Sequence, residues 1–250
     1  MSSIAPTEPP GITIILLDIE GTTTPVDFVY RTLFTYARNN LSSFLHKSSS
    51  TPEVWTCIDA LKARHTIDRQ ERNAPPEWLD GTAELEIDSA VRYGLWLMDR
   101  DSKIGPLKSL QGLIWREGYS SGTLHGEVYP DVPPAFDRWH SQGKEISIYS
   151  SGSTLAQQML FRTTRFGDLT TSIKSFFDTR VGTKRSPESY EKIARISGYP
   201  PNQFLFLSDI VEELDAARAA EMHTALVVRS PNTDVPLTEH PKIKSFDGLA

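Results

Sequence analysis

The sequence has few residues that could form a disulfide or a soft-metal site. Cys57 is the only cysteine in 250 residues, which excludes an internal disulfide or a thiolate cluster and is typical of a reducing, cytoplasmic setting. The six histidines form no His-x-His or His-x-x-x-His pair, so we expect no zinc centre. Any bound metal should be a hard cation held by oxygen atoms.

The sequence also lacks long apolar runs and an excess of basic residues. Its apolar runs reach about six residues, far short of the roughly 20 that cross a bilayer, and residues 1–10 lack the features of a signal peptide. The formal net charge of −6 leaves no basic face for nucleic acid or an anionic membrane. We therefore expect neither partner.

An apolar, mostly β-branched run over residues 12–17 ends on two acids, Asp18 and Glu20, followed by a glycine and three threonines. The run predicts a buried strand whose carboxyl end carries both acids, which is where open α/β sheets place their sites. Residues at i and i+2 of a strand share a face. Two carboxylates held so close repel each other unless a cation or a proton is present.

The remaining pattern predicts a doubly wound parallel sheet with an inserted all-helical domain, an α/β fold. Residues 28–127 have helical spacing and almost no strand alternation, whereas alternation of helix and strand resumes afterwards. We expect the catalytic core over 11–27 plus 128–250 and a helical cap over 28–127. Expected helices span 28–45, 53–72, 84–99, 107–119, 133–142, 155–165, 188–197 and 211–222, and expected later strands span 145–149, 176–177, 204–207 and 225–228.

Two further predicted strands end on polar residues, and a lysine precedes a helix between them. Residues 146–153 run from a strand into a Ser-Ser-Gly-Ser turn, whose amides and hydroxyl could cradle an anion; Ser153 as a plain helix N-cap is an equally good interpretation. Lys184 is by itself typical of a solvated surface charge, but it could also neutralise phosphate oxygens.

The last of these strands, residues 204–207, is followed by Asp209, Glu212 and Glu213. Helix capping and the helix dipole explain Glu212 well, but they explain Asp209 at the end of a core strand less well. Because parallel strands end at one edge of the sheet, these groups and Lys184 can converge. Carboxylates, hydroxyls and one lysine predict a magnesium and phosphate site.

The motifs Asp18-x-Glu20-Gly-Thr, Tyr149-Ser-Ser-Gly-Ser153, Lys184 and Ser208-Asp209 resemble, in order, the four motifs of the haloacid-dehalogenase-like phosphohydrolases. Glu20, where that superfamily usually has Asp, is similar to its enolase-phosphatase branch, the acireductone synthases of methionine salvage. The similarity runs from about Ile14 to Asn232 and includes Gly182-x-Lys184 and Val227-Val-Arg229. The chain departs from the family at residues 185–187 and in a longer, more polar loop at residues 73–80.

The resemblance implies a role for each motif residue. Asp18 is the implied nucleophile, and Glu20 the acid that protonates the leaving oxygen and then activates water. One Mg²⁺ is implied on Asp18, the Glu20 carbonyl and Asp209, with Glu213 beside a metal-bound water. The implied substrate-binding residues are Thr22, Ser150, Ser151 and Lys184. A cytoplasmic, also nuclear, monomer is implied.

The implied reaction enolises 2,3-diketo-5-methylthiopentyl 1-phosphate and then dephosphorylates it to the acireductone. We hypothesise that Glu20 also removes the C1 proton, because its carboxylate lies near the phosphate-bearing carbon. Glu117 and His125 are rival bases, although each is more typical of a surface or hinge residue. Trp115 and Tyr119 could contact the methylthio tail, but cap packing explains them better.

Two other functions remain open from the sequence. One is a cap-bearing phosphatase for another sugar or nucleotide phosphate, against which only the cap and Glu20 argue. The other is a non-catalytic binding module, whose signature would be the loss of Asp18 or Asp209. A P-loop kinase is excluded because no Gly-x-x-x-x-Gly-Lys-Ser/Thr stretch occurs.

Overall fold

A computed structural model describes residues 11–229 and 237–249. The chain divides into a sheet unit, residues 11–28 and 125–249, and a helical unit, residues 29–124. These boundaries lie one and three residues from the predicted ones, and the role of the helical unit as a cap stays a prediction. Asn232, at the end of the family similarity, lies outside the described residues. No helix in the described ranges is both long and apolar enough to cross a membrane.

Within the described residues, the sheet unit contains six parallel strands in the order β3-β2-β1-β4-β5-β6. Their ranges are β1 Ile14–Leu17, β2 Glu145–Tyr149, β3 Ser175–Phe177, β4 Phe204–Ser208, β5 His223–Val227 and β6 Lys242–Ile243. β1 lies at the centre and all four of its residues are buried, as expected for a strand covered on both faces. The predicted α/β class and parallel sheet are confirmed.

In the part of the sheet unit that the structure describes there are four α-helices, numbered in chain order after the four of the helical unit. They are α5 Val132–Ser141, α6 Thr154–Arg162, α7 Pro187–Ser197 and α8 Val211–Ala219. Their local signals are legible in the sequence: α7 has Pro187 in its first turn and ends at Gly198 in the left-handed region. The apolar sides of α7 and α8 bury Tyr190, Ile193 and Leu214 against β1 and β4.

The helical unit has its own hydrophobic core. Its helices are α1 Thr35–Lys47, α2 Pro52–Gln70, α3 Ala83–Met98 and α4 Gly105–Ser120, and a π-helical segment, Phe28–Phe34, precedes α1. Fully buried residues from all four helices pack together, among them Leu41, Ile58, Tyr93 and Leu110. An insertion with a separate core is the arrangement that the helical spacing predicted.

The loop at residues 73–80, which departs from the family pattern, is tied to the helical unit by polar contacts. Asn73 Nδ2 donates to Asp68 Oδ1 (3.2 Å), and the Pro76 carbonyl lies 2.7 Å from His65 Nε2. Trp78 is buried beside His65. The polar character of the loop is therefore used to satisfy buried groups of α2.

Most predicted elements begin and end within three residues of those found, and the differences have local causes. The first predicted helix opens as a π-helix, which hydrophobic spacing does not distinguish from α. The predicted helix 211–222 ends at Ala219 because Glu221 adopts φ +65°, which no helix residue tolerates. The two-residue strand β6 was not predicted.

Candidate active site

The carboxyl edge of the sheet brings the ends of β1, β2 and β4 together. Leu17 is level with Ile148 of β2 and Leu207 of β4, and the Asp18 amide continues the ladder by donating to the Leu207 carbonyl (3.0 Å). The residues that follow each strand therefore share one edge. The sequence-predicted convergence of Asp18 with the polar end of β4 rests on this register.

Asp18, Lys184, Glu213 and Ser208 form one buried network. Lys184 Nζ lies 2.6 Å from Asp18 Oδ1 and 2.5 Å from Glu213 Oε2. Ser208 Oγ donates to Glu213 Oε2 (3.1 Å) and lies 3.5 Å from Asp18 Oδ2. The Oδ1 atom of Asp18 is thus firmly held, whereas Oδ2 has only a long, weak contact in this network.

Lys184 is buried rather than a solvated surface charge, with a side chain 9% exposed. Burial by itself lowers the pKa of Lys184, but the adjacent carboxylates of Asp18 and Glu213 outweigh it and raise this pKa above its usual value. The Tyr190 hydroxyl donates to the Lys184 carbonyl (2.7 Å) and fixes the backbone beneath it. Lys184 is therefore a permanently charged, immobile cation beside Asp18.

Asp209 lies against the turn that follows β1. Gly21 has φ +72°, and a Cβ there would be 2.1 Å from Asp209 Oδ2, so the carboxylate touches the main chain at the Glu20–Gly21 turn. Burial, followed by the charge of Asp18, raises the pKa of Asp209 to about 7. Capping does not explain the residue, because the N-cap of α8 is Ile210.

The donor set fits a divalent cation. Asp18 and Glu213 both contact the ammonium of Lys184, and the buried Asp209 is close enough to be affected by the charges of all three. The site thus has an excess of negative charge with oxygen donors only. No three His, Cys, Asp or Glu side chains in residues 11–229 and 237–249 are grouped to hold a metal by themselves. The predicted set needs only two side chains, because its third donor is the Glu20 carbonyl.

The turn after β2 is held by its neighbours. Ser150 is buried; its amide donates to the Phe177 carbonyl (3.1 Å) and its Oγ accepts from the Gly152 amide (3.2 Å). Gln157, which the sequence analysis did not single out, donates to the Gly152 and Phe177 carbonyls (2.8 and 2.9 Å). Ser153 caps α6 through the Ala156 amide, as its N-cap interpretation predicted.

The other predicted site residues differ in exposure. Glu20 is half-buried and Ser151 is exposed, whereas Thr22 is fully buried. The Thr22 hydroxyl has no hydrogen-bond partner. Of the four predicted substrate-binding residues, Thr22 thus offers the least accessible side chain.

The sequence offers Glu117 and His125 as rival bases, and Trp115 and Tyr119 as contacts of the methylthio tail. Glu117 Oε1 pairs with Lys47 Nζ at 2.5 Å, and His125 is exposed. Trp115 packs against the core of the helical unit and donates to the Leu33 carbonyl (2.8 Å), while Tyr119 is buried. The contacts of Glu117 and Trp115 therefore need no ligand to explain them.

Replacing Gly21 by Ala should lower both stability and activity. The left-handed φ costs an L-residue about 1–2 kcal/mol, and the added Cβ would displace the Asp209 carboxylate. We expect the melting temperature to fall and kcat to drop at least about tenfold. Gly143→Ala is the matched control, because Gly143 has φ +75° with nothing within 4 Å of its Cβ position; a kcat loss equal in both variants would contradict the prediction.

Replacing Lys184 by Met should reduce kcat by about 10²–10³-fold, the usual cost of removing a preorganised charge. It also leaves Asp18 and Glu213 buried without their cation, which typically costs about 3–5 kcal/mol of unfolding free energy. Steady-state kinetics and urea unfolding measure the two effects. Lys174→Met is the control: Lys174 is exposed and lies 3.6 Å from Glu145, so this change should alter neither kcat nor the unfolding free energy. A fully active Lys184→Met variant would show that Lys184 does not belong to the active site.

Comparison with known proteins gives a consistent set of relatives. The family model for haloacid dehalogenase-like hydrolases matches residues 12–221. Enolase-phosphatase E1 of Synechococcus elongatus is 46% identical over 242 residues, which cover 96% of this chain and 99% of the relative. Enolase-phosphatase E1 of Drosophila persimilis is 43% identical over 237 residues, covering 92% and 89%.

Solved structures agree with this fold. The UTR4 protein of Saccharomyces cerevisiae is 31% identical, with a TM-score of 0.74 over 95% of this chain and all of that chain. CbbY of Rhodobacter sphaeroides, solved with phosphate, is 16% identical with a TM-score of 0.53 over 96% of both chains. The latter likeness concerns the fold alone.

Proposed function

The chain belongs to the haloacid dehalogenase-like hydrolases and, within them, to the enolase-phosphatases, and from this premise we propose how its own residues carry the reaction. The substrate is 2,3-diketo-5-methylthiopentyl 1-phosphate, which is enolised and then hydrolysed to the acireductone and phosphate in methionine salvage. The observation that supports this chemistry best is the buried Asp18 carboxylate, which Lys184 holds by one oxygen at 2.6 Å.

In the phosphatase step Asp18 acts as the nucleophile. Its Oδ2 atom, which has only the long Ser208 contact, attacks phosphorus while the bond from phosphorus to the substrate oxygen breaks. Glu20 gives its proton to that leaving oxygen. Glu20 then takes a proton from water, which attacks the aspartyl-phosphate, so that phosphate leaves and the Asp18 carboxylate returns.

Charge on the phosphoryl oxygens is met by Lys184 and by the turn after β2. Lys184 is already fixed by Asp18 and Glu213, so it needs no rearrangement as charge develops. The Ser150 hydroxyl and the Ser151 amide extend from a turn that Gln157 holds in place. Thr22, in the turn that follows Glu20, completes the proposed set of substrate-binding residues.

We propose that the carboxylates of Asp18 and Asp209 and the Glu20 carbonyl would hold one Mg²⁺, and that Glu213 would act beside a metal-bound water. The closeness of Asp209 to the Gly21 backbone and the all-oxygen, acid-rich donor set support this. When bound, the ion neutralises the surplus carboxylate charge and that of the anionic substrate. Glu213 meanwhile holds Lys184 and Ser208.

For the enolisation we assign the proton removal at C1 to Glu20 as well. Glu20 is half-buried and follows Asp18 on the same strand end, so its carboxylate and the reacting phosphate ester share one edge. Glu117, the rival in the helical unit, is already paired with Lys47. Enolisation leaves Glu20 protonated, as protonation of the leaving oxygen requires, while the enolate oxygen takes its proton from water. The proton that Glu20 gains in the hydrolysis passes to solvent before the next cycle.

One assay tests the function. The diketo phosphate is supplied with Mg²⁺, and the absorbance of the enediol product and the release of phosphate are followed together. We expect both signals to rise. Phosphate release without the enediol would instead indicate a plain phosphatase for another small phosphate ester, and neither signal would indicate a binding module. We further propose a cytoplasmic protein; its occurrence in the nucleus and its monomeric state stay predictions.

A further inference from the structure

Arg229, two residues after the end of β5, reaches the turn that follows the proposed nucleophile. Its side chain is 8% exposed, and its Nε and Nη2 atoms both donate to the Thr22 carbonyl, at 3.0 and 2.8 Å. A carbonyl with two donors from one planar guanidinium is fixed in direction as well as in position. Thr22 lies two residues after Glu20.

The guanidinium is itself held on several sides. Its Nη1 atom donates to Asp131 Oδ2 (2.7 Å), and this oxygen also accepts from the Phe246 amide (2.6 Å). The rings of Tyr129 and Phe246 lie 4.3 and 4.6 Å from the Arg229 Cζ atom. Arg229 therefore links the carboxylate of Asp131 to the main chain of the turn, and its own position is fixed.

The hydrogen bonds within the turn do not use the Thr22 and Thr23 carbonyls. The Gly21 amide donates to the Thr24 carbonyl (2.8 Å), and the next three amides share one acceptor. The amides of Thr22, Thr23 and Thr24 all donate to the Ile19 carbonyl, at 3.2, 3.0 and 2.8 Å. The buried hydroxyls of Thr22 and Thr24 have no partner. From outside, the turn is held at the Thr22 carbonyl by Arg229 and at the Thr23 carbonyl by the Tyr129 amide (2.9 Å).

We propose that Arg229 is a positioning residue: paired with Asp131, it sets the geometry of the turn that carries Glu20 and follows Asp18. The inference rests on the proposed function of those two acids. A displacement of about 1 Å at reacting groups can cost about 10²-fold in rate. Loss of the Arg229 donors should therefore lower kcat without removing any group that touches the substrate.

Four variants separate positioning from general stability. Arg229→Met removes the Thr22 donors and leaves Asp131 buried and unpaired, so both kcat and the melting temperature should fall, kcat by about 10–100-fold with KM within about threefold. Arg229→Met/Asp131→Asn removes both charges, so stability should partly recover while kcat stays low. Asp131→Asn alone keeps the Thr22 contacts and should lose stability with little loss of kcat.

Arg138→Lys is the matched control. Arg138 also donates to two main-chain carbonyls, those of Leu249 (2.9 Å) and Phe246 (2.6 Å), but neither belongs to the turn. We expect it to lower the melting temperature and leave kcat unchanged. A kcat that follows the melting temperature across all four variants would overturn the proposal.

Hydrogen exchange supplies a readout that does not depend on activity. In the wild type the amides of Thr22–Thr24 should exchange slowly, in Arg229→Met much faster, and in Arg138→Lys as in the wild type. Unchanged exchange in Arg229→Met would overturn the inference. A wild type that is inactive on the diketo phosphate would instead overturn the proposed function, and the exchange comparison would still decide whether Arg229 fixes the turn.

Discussion

Replacing Asp18 by Asn should abolish phosphate release, with a fall in kcat on the order of 10⁴-fold or more. The amide is close in shape to the carboxylate, and Lys184 keeps its partner Glu213 at 2.5 Å, so the protein should stay folded. An amide, however, is a poor nucleophile toward phosphorus. Phosphate release measures the effect, and acid-quenched wild-type enzyme should carry a phosphoryl group on the peptide that contains Asp18.

Asp137→Asn is the control for this substitution. Asp137 is an exposed residue of α5, so the same chemical change there should leave kcat within a factor of about two. The nucleophile is wrongly assigned if Asp18→Asn releases phosphate at a rate near that of the wild type. A phosphorylated peptide elsewhere in the chain would then identify the true nucleophile.

Replacing Glu20 by Gln should block the enolisation as well as the overall turnover, each by about 10²–10⁴-fold. The amide can neither accept the C1 proton nor protonate the leaving oxygen, although its size and position are retained. The experiment follows enol-phosphate, enediol and phosphate separately after mixing with the diketo phosphate and Mg²⁺. An enol-phosphate that still accumulates would show that another residue is the base.

Two further variants allow the result for Glu20→Gln to be interpreted. Glu212→Gln changes an exposed acid in the first turn of α8 and should leave every rate unchanged. Glu117→Gln removes the partner of Lys47 and tests the rival base directly. Loss of enolisation in Glu117→Gln, together with its retention in Glu20→Gln, would transfer the proton removal to the helical unit.

The fold was predictable because its signals are local and repeated. Four-residue apolar runs such as Ile14–Leu17, separated by helical spacing, predict buried parallel strands, and the parallel arrangement then places their polar ends on one edge. What could not be predicted depends on backbone detail. Glu221 has no sequence signature for its positive φ, and β6 is too short for a periodic pattern.

The site shows a similar division. Asp18 and Asp209 follow strand ends and Lys184 precedes a helix between the last two polar strand ends, so their convergence could be predicted from the topology. The contacts that hold these residues could not. Gln157 acts from inside a helix, and Arg229 acts across the sheet on a carbonyl, which no spacing rule anticipates. The sequence signals for Arg229 were its position two residues after a buried strand and the family-like stretch Val227-Val-Arg229, and neither indicates which group it contacts.

The register of β1 also sets an order of events during synthesis. Ile14 pairs with Glu145 on one side and with Phe204 on the other. Strand β1 therefore has no partner strand until the ribosome has reached β2. The helical unit, with its own core, can fold on the ribosome in the interval, since early segments fold first. Asp18 thus leaves the ribosome long before Lys184 and Glu213. Because Glu213 belongs to α8, the network around Asp18 is incomplete until α8 has emerged, and we expect no activity before then.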